Sequence, residues 1–139
     1  HQYWEIPFIV KGCIDNHING KSTIMRKNQA YLVQPDDNHA VISASPEPVI
    51  ILNFMAKIEY IDNLFSSYGT DIAAQINDAP TLLVDVDDAL ANRIVSETLQ
   101  LQTTSLFTIE EKIIRCKILF NELFIQLLQQ QMLSNFKHP

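Results

Sequence analysis

Up to about Ala56 the apolar positions fall in short runs separated by turn-forming residues, the pattern of closely spaced strands. Ile6 to Val10 is one such run, interrupted by Pro7 and followed by Gly12. Ile14 to Ile18 and Ser22 to Met25 flank Asn19-Gly20. Asn-Gly suits a type I′ hairpin turn, because both central residues there take positive φ. Tyr31-Leu32-Val33 leads into the turn Pro35-Asp36-Asp37-Asn38, and Val41-Ile42 and Val49 to Phe54 flank Ser45-Pro46-Glu47-Pro48. Six short strands with tight turns predict an antiparallel sandwich or barrel.

From Lys57 onward the period changes to that of helices. Ile58, Ile61, Leu64 and Phe65 share one helical face, and Gly69 is placed to end it. Leu82-Leu83-Val84 reads as an apolar tether. Asp87-Asp88 then open a second helix with carboxylates at its positive end, and Leu90, Ile94 and Leu101 mark its apolar face. Thr108 and Glu111 form a capping box at the start of a third helix running to about Phe136. Ile109, Ile113, Cys116, Phe120, Leu123 and Leu127 recur along it at spacings of four and three, a coiled-coil-like seam. A second stripe carries Ile114, Ile118, Ile125, Leu128 and Met132. A helix apolar on two sides is either enclosed within its own domain or shared with a partner chain.

Composition narrows the classes. The chain has 139 residues, 47% apolar and 19% charged, enough for one sizeable core without a metal or disulfide staple. The run Val49-Ile50-Ile51-Leu52 falls far short of the ~20 residues that span a bilayer, so no membrane segment is expected. With 10 Lys and Arg against 16 Asp and Glu, the formal net charge is −6, which argues against DNA binding by this chain alone. Cys13 and Cys116 match no zinc or redox spacing and read as buried, reduced thiols of a cytoplasmic protein. A start at His1 and a polar end suggest a piece of a longer protein.

Candidate chemistry gathers at two places. In a strand, His1, Tyr3 and Glu5 share one face, while Trp4, Ile6, Phe8 and Val10 share the other. His39 opens a later strand, four positions after Pro35. No nucleophile elbow, Gly-rich phosphate loop or Cys-x-x-Cys is present. Tyr3, Trp4 and Tyr31 have rings able to stack on a sugar, although Trp4 sits on the apolar face and reads as core. His17 and His138 read as solvated.

His-x-x-x-Glu followed by Gly12, then Pro-x-x-x-His about thirty residues on, resembles the two signature segments of a cupin. The Asn19-Gly20-Lys21 hairpin between them resembles the turn of the cupin sensor domain in AraC-family transcription regulators, within which the sugar and chito-oligosaccharide regulators look most similar. Asn28 stands where that pattern has glycine, and asparagine tolerates the left-handed conformation.

The resemblance implies a mainly β fold with C-terminal α: a small cupin-like antiparallel barrel at 1–56, then a helical extension at 57–139 with dimerisation helices at about 87–103 and 108–136. It further implies a cytoplasmic, non-enzymatic homodimer that senses a small polar effector, such as a sugar, through His1, Tyr3, Glu5, Tyr31 and His39. DNA would be bound only by a helix-turn-helix domain beyond this chain. Dimerisation is assigned to the seam from Ile109 to Leu127. No metal cofactor is expected; a divalent transition metal, if present, would use His1, Glu5 and His39. The alternative is a small metal-dependent cupin enzyme, an isomerase or dioxygenase.

Overall fold

The first strand, β1 (Tyr3–Lys11), runs unbroken through Pro7 and is buried on both faces between its ends. This places it in the middle of the molecule. In the computed structural model, which describes residues 3–69, 76 and 82–137, β1 belongs to a four-stranded sheet with β4 (Gln29–Tyr31), β6 (Ile50–Lys57) and β7 (Leu83–Asp85), in the order β6-β1-β4-β7. The strands β2 (Cys13–Ile18), β3 (Lys21–Arg26) and β5 (His39–Ser43) form a second sheet in the order β3-β2-β5. All pairings are antiparallel.

The alternation of side chains sorts β1 between two cores. Trp4, Ile6 and Phe8 join the helices in one cluster, while Ile9 meets Ile14, Ile18, Met25, Tyr31 and Val33 in the other. The second cluster draws on both sheets and fills the space between them. The protein is thus layered: three-stranded sheet, four-stranded sheet, helices. Its class is mainly β with C-terminal α, as the pattern predicts, but the strands make two facing sheets rather than a closed barrel.

Turn chemistry explains the sheet crossings. Asn19 and Gly20 take φ of 52° and 82°, and Asn28 takes 66°, so the left-handed turns fall where the sequence has Asn or Gly. Gly12, at φ 86°, passes the chain from β1 to β2, and a Cβ there would lie 3.1 Å from the Pro48 carbonyl oxygen. Any side chain at 12 would therefore force the Pro48–Val49 backbone away.

The helices are α1 (Ile58–Tyr68), α2 (Asp88–Thr103) and α3 (Ile109–Lys137). Gly69 ends α1 at φ 107°, its N–H donating to the Phe65 carbonyl at 3.0 Å. Asp87 caps α2 by accepting from Leu90 N–H at 2.8 Å, and Thr108 Oγ1 accepts from Glu111 N–H at 3.1 Å at the start of α3. Leu82-Leu83-Val84 is not a tether: Leu83 and Val84 lie in β7, paired with β4. The main core then joins Trp4, Ile6 and Phe8 to Leu90, Ile94, Leu119, Leu123 and Phe124. Cys13 is half-buried and Cys116 exposed, so the expectation of two buried thiols does not hold. No helix among the described residues is long and apolar enough to cross a membrane.

Candidate functional site

Backbone pairing brings Glu5 to the inter-sheet layer. Its N–H donates to the Val33 carbonyl at 3.0 Å and its carbonyl accepts from Val33 N–H at 2.9 Å. Opposite it on β6 is Met55, so Asn53 is its diagonal neighbour, within side-chain reach. Asn53 Nδ2 donates to Glu5 Oε1 at 2.9 Å.

The second sheet contributes His39. Its register opposite Ile18, with Val41 opposite Asn16 and Ser43 opposite Ile14, points β5's alternate side chains towards the four-stranded sheet. The preceding loop is pinned to the hairpin: Asn38 N–H donates to Asn19 Oδ1 at 3.0 Å, Asn19 Nδ2 to Asp37 Oδ1 at 3.1 Å, and Gln34 N–H to Asp37 Oδ2 at 2.8 Å. The turn residues thereby fix where β5 begins. His39 Nε2 then lies 3.4 Å from Glu5 Oε2, a side-chain contact that joins the two sheets.

Two further polar groups share this layer. Tyr31 is 1% exposed, and burial first, then the nearby Glu5 carboxylate, pushes its hydroxyl up to about 12. It therefore stays a neutral donor throughout the physiological range. Asn16 is also 1% exposed, and its Oδ1 has no hydrogen-bond partner among the described residues. Burying an amide oxygen without a partner costs on the order of 1–3 kcal/mol, unless something enters to bond it. Asn16 lies diagonal to His39 across β2 and β5, so the orphaned acceptor belongs to the same neighbourhood.

The layer opens between the edge strands β5 and β6. Val41 and Met55 point inward by register, yet they are 43% and 55% exposed. The site sets a carboxylate, an imidazole and amides at this opening, with the buried Tyr31 deeper in the layer. Such a set can exchange several hydrogen bonds with a hydroxyl-bearing ligand.

Of the expected ligand residues, the structure brings together Glu5, His39 and Tyr31. Tyr3 is 38% exposed at the strand's end, and His1 lies outside the described residues, as does His138. Among the described residues no group of three or more His, Cys, Asp or Glu is placed to hold a metal. Trp4 is core, edge-on to Phe65 at 5.8 Å. His17 lies outside the inter-sheet layer and is only partly exposed, 3.2 Å from Asp15. Sequence reasoning missed Asn53 and Asn16. Both had a signal: each is an amide interrupting the apolar positions of a strand.

The proposed dimer seam divides along its length. Phe120, Leu123 and Leu127 are buried in the chain's own core and cannot meet a partner without opening it, a correction to the assignment of the whole seam. Ile109 and Ile113 are 74% and 50% exposed, and Cys116 is exposed. Of the second stripe, Ile114, Ile118 and Ile125 are 57%, 47% and 41% exposed, while Leu128 packs on the core.

No protein-family model and no curated protein matches the sequence. Solved structures do. ToxT from Vibrio cholerae, in one crystal form, superposes with a TM-score of 0.58 at 13% identity, over 92% of this chain and 48% of that one. An apo ToxT from V. cholerae strain SCE256, carrying a lysine-to-alanine substitution, gives a TM-score of 0.65 at 13% identity, over 94% and 49%. The fold is cupin-like. ToxT is an AraC-family regulator with a cupin-like N-terminal domain. This chain spans about half the length of the ToxT structures it matches.

Proposed function

We infer that this chain is the ligand-sensing and dimerisation portion of an AraC-type transcription regulator. The observation that carries the reading is the Glu5–His39 contact, which joins the two sheets of a cupin-like fold beside the unpartnered Asn16 oxygen. A small polar effector, a sugar or a related metabolite, enters between β5 and β6 and takes up those groups. It binds without a metal, and it is not turned over. DNA recognition belongs to a helix-turn-helix domain outside this chain, in the cytoplasm, where the regulator works as a homodimer. The likeness to transcription regulators disfavours the metal-dependent cupin enzyme.

The dimer contact moves from the seam to the outward stripe. Ile114, Ile118 and Ile125 of α3, with Val95 and Leu99 of α2, are all more than 40% exposed, and a partner's matching residues would take them out of water.

Calorimetric titration with neutral and amino sugars tests the sensor reading. Saturable heat from at least one sugar is expected, unchanged after EDTA treatment and lost in His39→Ala. No heat from any sugar, or binding that EDTA abolishes, would contradict it. For the dimer, sedimentation should give twice 15.9 kDa for the wild type and a monomer for Ile118→Glu.

A further inference from the structure

A groove lies on the helical side of the molecule, along β6. It encloses about 660 Å³ between β6, Tyr60 and the N-terminal half of α3. Its strand wall consists of five consecutive residues, 53–57. Consecutive strand residues point to opposite faces, so a groove touching all five meets the strand edge-on. In the strand order β6-β1-β4-β7 that edge is unpaired among the described residues. Its backbone donors and acceptors face the groove.

The opposite wall is the outer half of the α3 seam. Ile109, Ile113, Cys116 and Phe120 line it, and the same stripe continues through Leu123 and Leu127 onto the chain's own sheet. The helix therefore overhangs a sheet that is one strand too narrow for it. A strand added to β6, spaced about 4.8 Å from it, would lie beneath Ile109 and Ile113.

Charge selects the occupant. Lys57, Lys112 and Lys117 are the charged residues lining the groove, and no Asp or Glu joins them, in a chain whose formal net charge is −6. Lys117 is held with its Nζ 5.5 Å from the centre of the Tyr60 ring. A second copy docking here about a two-fold axis would set lysines against lysines.

We propose that the groove between the free edge of β6 and the N-terminal half of α3 binds an extended acidic peptide segment of a partner protein. Its backbone pairs with β6 by strand addition, its apolar side chains meet Ile109 and Ile113, and its carboxylates meet the three lysines. Asn53 both lines the groove and bonds Glu5, so an occupied groove touches the candidate effector site through one side chain.

The probe is a fluorescein-labelled ten-residue peptide of alternating valine and glutamate, followed by fluorescence anisotropy against the whole chain. Binding at least tenfold tighter than that of the valine–lysine counterpart is expected, weakening as salt rises. The triple variant Lys57→Glu/Lys112→Glu/Lys117→Glu, checked for folding by circular dichroism, should reverse the preference. A peptide N-methylated at every residue, which leaves no N–H donor on either of its edges, should lose at least tenfold, since it cannot donate to a strand edge. Equal binding of both peptides, no binding of either, an unaltered preference in the folded triple variant, or indifference to N-methylation would each overturn the proposal. So would a wild-type dimer that the triple variant dissociates, which would assign the groove to a second copy.

Discussion

Ile113 and Leu123 belong to one apolar stripe of α3, yet Ile113 is 50% exposed and Leu123 is fully buried. The C-terminal half of the stripe lies over a strand-rich floor that includes β1 and β7; the N-terminal half has only the groove beside β6. The inter-sheet layer repeats the contrast. Tyr31 is sealed at 1%, whereas the His39 side chain at the opening is 26% exposed. Hydrophobic period therefore identifies which side of an element wants cover, and the width of the neighbouring layer decides whether the same chain supplies it. Where it does not, the uncovered part is available for a ligand or a partner.

The largest effect expected from this contrast is in Leu123→Ala. Emptying a fully buried leucine site should lower unfolding free energy by about 2–5 kcal/mol in urea titrations. Ile113→Ala should change it by no more than about 0.5 kcal/mol, as for other surface substitutions. Equal losses at the two positions would mean that Ile113 is covered in solution and would erase the contrast.

Tyr31 sharpens the same comparison within the inter-sheet layer. Its hydroxyl ionises near 10 when unfolded and at about 12 when folded, so the unfolded chain releases the proton first as pH rises. The contribution to stability is intact below about pH 10 and is lost as pH climbs towards 12. Urea unfolding from pH 9 to 12 should show this decline in the wild type and a shallower one in Tyr31→Phe. Identical pH profiles would mean that Tyr31 is not sealed.

The caps should differ less. Asp87→Ala removes the bond to Leu90 N–H and a contact from Gln126 that ties α2 to the buried half of α3. Thr108→Ala removes only the bond to Glu111 N–H at the exposed half. Losses of about 1 kcal/mol for Asp87→Ala and nearer 0.5 kcal/mol for Thr108→Ala are expected, measured by thermal unfolding. The reverse order would mean that the overhanging half is the better anchored.

Much of the fold was legible because its signals are local. Asn19-Gly20, Gly12 and the acceptors Asp87 and Thr108 act within a few residues, and all mark turns or helix starts. The face of β1 that carries Trp4, Ile6 and Phe8 was equally plain from alternation. β7 was not, because three residues of Leu-Val-Asp become a strand only by pairing with β4, far away in sequence. The same holds for the site. Glu5 and His39 stood out only through the resemblance of their segments to those of a cupin, whereas Asn53 enters only through the β1–β6 register and Asn16 only through the β2–β5 register. The division of the seam at Cys116–Phe120 was invisible to periodicity, since the period is the same on both sides.

The central claim is that the Glu5–His39 contact serves ligand binding rather than holding the sheets together. Thermal unfolding of wild type and Glu5→Gln, each with and without the sugar that gives calorimetric heat, tests it most directly. Ligand at about a hundred times its Kd should stabilise the wild type by about 2.7 kcal/mol. The account predicts that free Glu5→Gln melts within a few degrees of free wild type but gains little or nothing from the sugar. A free variant that melts far lower, with the sugar-induced gain retained, would make the contact a structural clamp and contradict the claim.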